Sequence, residues 1–156
     1  MSAFSPTAPR LLPCWQAHVD IAPTRQHGPG PYGQRNVVPI LGGTFAGQLA
    51  PEGAAPQPFG GQVLPGGFDL QRLRPDGCKE LEAIYHLQTH DGLVVEIRNL
   101  ALLTYTAGGH LHYARCRIFP EAPAGRLNWL NERVFVGTLE VVRPQEQVLI
   151  RSFVLV

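Results

Sequence analysis

The sequence predicts an all-β chain: a single-domain antiparallel β-barrel of about nine short strands with at most one short helical turn. Three observations carry this. Glycines come in pairs at Gly42-Gly43, Gly60-Gly61 and Gly66-Gly67, each beside a β-branched or aromatic residue, where they permit the sharp bends and close backbone approach that a curled sheet needs. Apolar and polar residues alternate with a period of two over many short segments, the mark of half-buried strands. The 17 glycines and 15 prolines punctuate the chain at the spacing of antiparallel turns and leave no run for a long helix.

Residues 1–13, with three prolines and little periodicity, read as a flexible N-terminal arm, and residues 14–156 as the barrel domain. Cys14 to Ala22 alternates Trp15, Ala17, Val19 and Ile21 against Gln16, His18 and Asp20, which makes it the first strand. Pro23 to Gly33 crowds glycine and proline and is expected to be a surface loop. A short strand follows over Asn36–Ile40, then strands over Thr44–Leu49 and Gln62–Leu64 around the Pro/Ala/Gly-rich loop Ala50–Pro58. Phe68–Leu73 continues the sheet to the turn Arg74-Pro75-Asp76-Gly77. Lys79–His90 has some helical character, but Leu81, Ala83, Tyr85 and Leu87 alternate with Glu80, Glu82, His86 and Gln88, so it is read as a strand. Asp91-Gly92 then turns it into a hairpin with Leu93–Thr106. Gly108-Gly109 leads into Leu111–Phe119, Leu127–Asn131 is a short helical turn, and Arg133–Val142 with Gln147–Val156 is the closing hairpin. Both faces of that hairpin are apolar, so its outer side needs a cover, and a homodimer or higher homo-oligomer is expected.

At 156 residues the chain suits one domain able to bury a core without staples. Hydrophobic residues at 44% and charged ones at 16% exclude a disordered chain. A formal net charge of +1 with scattered arginines gives no footprint for nucleic acid, and no apolar run reaches the length of a spanning helix. The three widely spaced cysteines, Cys14, Cys78 and Cys116, suggest neither a disulfide framework nor a zinc knuckle. A cytoplasmic protein without nucleic-acid or membrane partners is expected.

Few residues carry chemistry. Asp69, between Phe68 and Leu70 in a strand, is costly if buried without partners, which a functional role would explain and a surface-facing position would explain equally. Trp129 and Asn131 offer an indole for stacking and an amide for orienting a ligand at the barrel mouth, or a plug of core packing with Asn131 capping a turn. His110-x-His112 and His86-x-x-x-His90 have ligand-like spacing, but no carboxylate follows His112 where a cupin-type site needs one, so no metal and no cofactor is expected. Tyr85, Arg115, Asp69, Glu96 and Arg35 are polar residues among apolar strand neighbours. If they converge inside a barrel, they would bind a small organic acid or polarise a carbonyl while a carboxylate moves a proton.

The succession Gly33-x-Arg35, Pro39-Ile40-Leu41-Gly42-Gly43-Thr44-Phe45-x-Gly47, Val63-Leu64-Pro65-Gly66-Gly67-Phe68-Asp69, Asp76-Gly77, Asp91-Gly92 and Trp129-Leu130-Asn131-x-x-Val134-Phe135-Val136-Gly137 resembles the domain of unknown function 3237 family (DUF3237), also called uncharacterised protein family UPF0311. The likeness runs from Cys14 to Val156. It implies a self-associating single-domain antiparallel barrel without an established activity, and it puts Arg35, Asp69, Asp91, Arg115, Trp129 and Asn131 on family-pattern positions. Leu70 departs from the pattern, which commonly has Trp after the aspartate. If that indole lines the cavity, the ligand would differ.

Taken together, the expected function is binding of a small, partly apolar organic molecule in the barrel, with cofactor-independent isomerisation, cyclisation or hydration as the acid/base chemistries. Asp69, Tyr85 and Arg115 are the candidate catalytic residues, and Arg35, Asp91, Glu96, Trp129 and Asn131 the candidate ligand contacts. The alternatives are a non-catalytic carrier and a structural dimer whose barrel is filled.

Overall fold

A computed structural model describes residues 7–156. Eleven strand segments follow one another: β1 (Leu11–Ile21), β2 (Arg25–Gly30), β3 (Gly33–Leu49), β4 (Gln57–Pro58), β5 (Gly61–Val63), β6 (Phe68–Leu73), β7 (Lys79–Thr89), β8 (Val94–Tyr105), β9 (Leu111–Glu121), β10 (Phe135–Arg143) and β11 (Gln147–Leu155). One 3₁₀ turn, Asn128–Glu132, interrupts them. Every pairing is antiparallel.

The wall runs β1, β11, β10, β9, β8, β7, then β6 and β5 sharing one place, then β3, which closes on β1 through Trp15–Gly47 and its successors. A ring of about eight positions has an interior that side chains can just fill or that can hold one small ligand. The ring is uneven. β9 and β10 pair only where Phe135–Thr138 meets Arg115–Ile118, and beyond that the two strands part.

Glycine makes the closure possible at particular places. Gly43 has φ +135° and an added Cβ would meet the His18 carbonyl oxygen at 1.9 Å, so β3 presses against β1 where only glycine fits. At Gly67 a Cβ would meet the Ile84 carbonyl at 2.7 Å and the Tyr85 Cβ at 2.8 Å, which brings the start of β6 hard onto β7.

Besides the two-residue β4, which falls at the end of the expected loop Ala50–Pro58, three segments differ from the sequence expectation. Strand pairing begins at Leu11, not Cys14, because Leu11, Leu12 and Pro13 lie opposite Leu155, Val154 and Phe153, and Arg10 exchanges backbone hydrogen bonds with Val156 at 2.7 and 2.9 Å. Of the expected arm, residues 1–6 lie outside the described residues. The Pro/Gly-rich stretch expected to be a loop contains β2, a hairpin partner of β3 with a bulge between Gln26 and Gly28. It pairs on one side only, and such an edge tolerates proline. The strands expected over Asn36–Ile40 and Thr44–Leu49 are one continuous β3.

The two ends are built differently. At one end the connection between β9 and β10 folds inward, burying Leu127, Trp129 and Leu130 against Trp15, Phe45, Phe59 and Phe135. The ring centroids are 5.5 Å apart for Trp15–Phe59, 5.3 Å for Trp15–Phe135 and 4.9 Å for Phe45–Phe59, a stack of tilted and edge-on contacts. At the other end the barrel is open.

Candidate active site at the open end

A cavity of about 260 Å³ opens between the turns β6–β7, β8–β9 and β10–β11. Its walls are mostly aliphatic and its floor is polar. Cross-strand register explains the floor. Asp69 on β6 lies opposite Ala83 on β7, and Ala83 lies opposite Asn99 on β8, so one inward row reads Asp, Ala, Asn. Ala83 projects only a methyl group between the two polar side chains. Tyr85, two residues further along β7, points inward on the same face and lines the cavity towards the plugged end.

These three side chains are among the most deeply buried polar groups of the described residues, with exposures of 9% for Asp69, 4% for Asn99 and 2% for Tyr85. Asp69 Oδ2 accepts a hydrogen bond from Gln71 Nε2 at 2.8 Å. Asp69 Oδ1, Asn99 Oδ1 and the Tyr85 hydroxyl have no hydrogen-bond partner in the protein. Buried polar atoms are nearly always satisfied, so three orphans bordering one cavity set that cavity apart from the rest of the interior. Trp15 Nε1, Asn36 Oδ1 and Ser152 Oγ are also unpartnered, but none of them borders the cavity.

Burial sets the ionisation. Desolvation pushes the Asp69 carboxyl up to about 6, with the Gln71 hydrogen bond and the Lys79 charge opposing. Burial likewise raises the Tyr85 hydroxyl above its ordinary range, helped by neighbouring Cys116 and Asp69, so Tyr85 is a hydrogen-bond donor at neutral pH. Cys116 is driven to about 11 by burial, against a hydrogen bond from Asn99, and is not a nucleophile. A carboxylate titrating near 6 beside a protonated phenol is a base and a donor at the same floor.

The structure places the remaining sequence candidates elsewhere, for reasons of strand parity. Arg115 and Glu96 stand on the outward faces of β9 and β8. Arg115 donates to the Ala114 carbonyl at 2.8 Å and lies over the Tyr113 ring, and Glu96 pairs with His86 at 3.3 Å. Arg35 is spent on the β2–β3 hairpin, donating to the carbonyls of His27 at 3.0 Å and Gly28 at 3.3 Å. Trp129, Asn131 and Asp91 belong to the plug, not to the mouth. Asn131 accepts from the Ala122 N–H at 2.8 Å and donates to its carbonyl at 3.0 Å, Trp129 Nε1 donates to Glu52 at 3.2 Å, and Asp91 accepts from Arg126 Nε at 3.2 Å. Leu70 points outward, 38% exposed, so a change of residue there does not reshape the cavity.

Asn99 and Gln71 escape the sequence reading. The signal was present: Asn99 interrupts the inward series Val95, Ile97, Ala101 and Leu103 as Asp69 interrupts its own strand. Among the described residues no three His, Cys, Asp or Glu side chains gather as metal ligands, and no helix is long and apolar enough to cross a membrane.

Fold and site together define a closed antiparallel β-barrel, plugged at one end and carrying a polar-floored apolar cavity at the other. The chain belongs to the DUF3237 family, proteins of unknown function, whose family model matches residues 9–155. A UPF0311 protein of Rhodopseudomonas palustris is 36% identical over 118 residues, covering 68% of this chain and 71% of its own length. A crystal structure of a Rhodopseudomonas palustris protein of unknown function superposes with a TM-score of 0.81 at 29% identity, over 97% of this chain and all of that one. A β-barrel-like protein of Acinetobacter baumannii also gives 0.81, at 25% identity, over 98% of this chain and 99% of its own. An enzyme from Penicillium herquei, at 19% identity and TM-score 0.71 over 99% of both chains, shares the fold.

Proposed function

We propose that the barrel binds a small, partly apolar organic molecule in its open-end cavity and that Asp69 moves a proton on it without a cofactor. The supporting observation is the trio of buried, unpartnered atoms, Asp69 Oδ1, Tyr85 Oη and Asn99 Oδ1, facing one aliphatic cavity. The volume, about 260 Å³, lies just under the range of typical ligand pockets and suits a one- or two-ring compound.

The chemistry that fits is proton abstraction beside a carbonyl. Asp69 takes the proton from carbon, the C–H electron pair becomes a C=C bond, and the carbonyl π pair moves onto oxygen, where the Tyr85 hydroxyl donates a hydrogen bond. Returning the proton to another carbon completes an isomerisation. In the alternative reading the same cavity serves a non-catalytic carrier. A barrel filled by its own side chains describes the plugged end only.

The test uses 2-tetralone, a two-ring enolisable ketone, in deuterated buffer. NMR should show α-proton exchange above the buffer rate, rising with pH to a plateau above about 6 as Asp69 ionises, and Asp69→Asn should fall to background while still binding the ketone. Exchange undiminished in Asp69→Asn removes the catalytic assignment. Binding without exchange in the wild-type protein leaves the carrier.

The exposed apolar side chains Leu11, Tyr113, Phe119 and Val134 support self-association as a homodimer or larger homo-oligomer, which light scattering giving a monomer mass would exclude. Three free thiols fit the reducing cytoplasm, and secretion of the native protein into culture medium would contradict that location.

A further inference from the structure

The chain holds thirteen cationic side chains, and all but Lys79 are arginines. Lys79 is the first residue of β7 and shares the inward parity of Leu81, Ala83 and Tyr85. Its side chain lines the mouth of the cavity. The ammonium stands 5.9 Å from the centroid of the Tyr105 ring, a cation–π contact that holds it at the rim. Arginines 74, 98, 126, 133, 143 and 151 all pair with carboxylates. Lys79 forms no such pair among the described residues, although its charge is felt by Asp69 at the floor.

An inward-facing, unpaired cation at the mouth of an apolar cavity is poor design for stability alone. Outward placement or pairing would cost less, since a charge drawn towards hydrocarbon loses hydration that the face of the Tyr105 ring replaces only in part. A compact ammonium on a flexible stem suits a single anionic oxygen approached from varied angles, where a guanidinium fork would demand one geometry. Lys79 and Ala83 are four residues apart on one strand, so the rim and the Asp69–Ala83–Asn99 row are separated by about 13 Å of backbone.

We infer that the ligand is amphipathic in a defined sense: an apolar body seated over the Asp69–Asn99 floor, with a carboxylate or comparably anionic oxygen at its outer end that Lys79 binds at the rim. The inference rests on the cavity being the ligand site, and it adds the charge class and the orientation of the ligand. The polar end that reacts lies deep, and the anion stays at the surface as a handle. Lys79 is then a specificity residue that touches the ligand but not the reacting atoms.

Two nearly isosteric probes separate the statements. 2-Naphthoate carries the anion, and 2-acetylnaphthalene replaces it with a neutral ketone. Calorimetric titration of the wild-type protein should show naphthoate binding about tenfold more tightly, the worth of one charge-assisted hydrogen bond. Lys79→Met should remove that preference while leaving the ketone affinity within about twofold, which also shows the variant to be folded. Lys79→Arg should restore most of it. If both probes bind the wild-type protein and Lys79→Met weakens neither or both alike, the anion assignment is overturned and the cavity reading stands. If neither probe binds, the cavity reading fails and the inference goes with it.

Discussion

The two ends of this barrel use one wall for opposite purposes. At the plugged end Trp15, Phe45, Phe59, Trp129 and Phe135 lock together, and the β9–β10 connection is braced internally by Asn131 to Ala122 and tied to other segments by Arg126 to Asp91 and Trp129 to Glu52. At the open end the inward residues include Ala83 and Ala101, whose short side chains leave space among Leu81, Leu103 and Tyr105, and that space is bordered by three polar atoms without a partner in the protein. One end is packed for stability, and the other keeps buried polar atoms unsatisfied at some cost to it, the relation expected of a scaffold and the site proposed above.

The largest effect expected from this difference is on the aromatic plug. Phe59 is fully buried and touches Trp15 and Phe45, so Phe59→Ala should destabilise the protein by about 3–5 kcal/mol in denaturant unfolding. A loss under about 1 kcal/mol would mean that the plug is dispensable and the comparison misplaced.

Next in size, and opposite in sign, is Asp69→Asn. The folded-state carboxyl lies at about 6 against an ordinary 3.8, so between those values the native state holds the proton that the unfolded chain has released. Stability from this group is therefore intact below pH 4, declines as pH rises from 4 to 6 and stays lost above, a difference on the order of 3 kcal/mol. The amide carries no charge and escapes the loss. Asp69→Asn should be the more stable protein at pH 8, with the advantage vanishing near pH 4. Equal stability at both pH values would show that the carboxylate is not strained by burial.

How much of this could be read beforehand follows from where the information sits. Alternation and paired glycines are local, and they place the strands from Phe68 onward to within a few residues. Asp69 and Tyr85 stood out because each breaks an apolar row on its own strand. Which face of a strand looks inward is decided by closure of the ring, so the alternation of β8 alone does not tell that Glu96 faces outward while Asn99, three residues on, forms the floor. Arg35 and Arg115 likewise stand on exposed faces of their strands. Trp129 and Asn131 are legible as barrel-end residues, but which end depends on pairings between segments distant in sequence, such as Arg126 with Asp91 and Trp129 with Glu52. The β2 hairpin was lost because proline and glycine density signals a loop unless an edge position excuses it.

The smallest effect separates the ends most directly, because it asks each to accept extra volume. Ala17 is completely buried away from the cavity and pairs with Phe45 and Ile150, whereas Ala101 lines the cavity. Three added carbons at position 17 have no space to enter, and Ala17→Leu should cost about 1–3 kcal/mol as its neighbours are driven from their rotamers. The same carbons at position 101 enter existing space and bury new apolar surface there. Ala101→Leu should therefore leave stability within about 1 kcal/mol of wild type or raise it, since burial gains are not offset by overpacking, while 2-acetylnaphthalene no longer binds. Equal penalties at the two positions would mean that the open end is as tightly packed as the plug, and the site would lose its room.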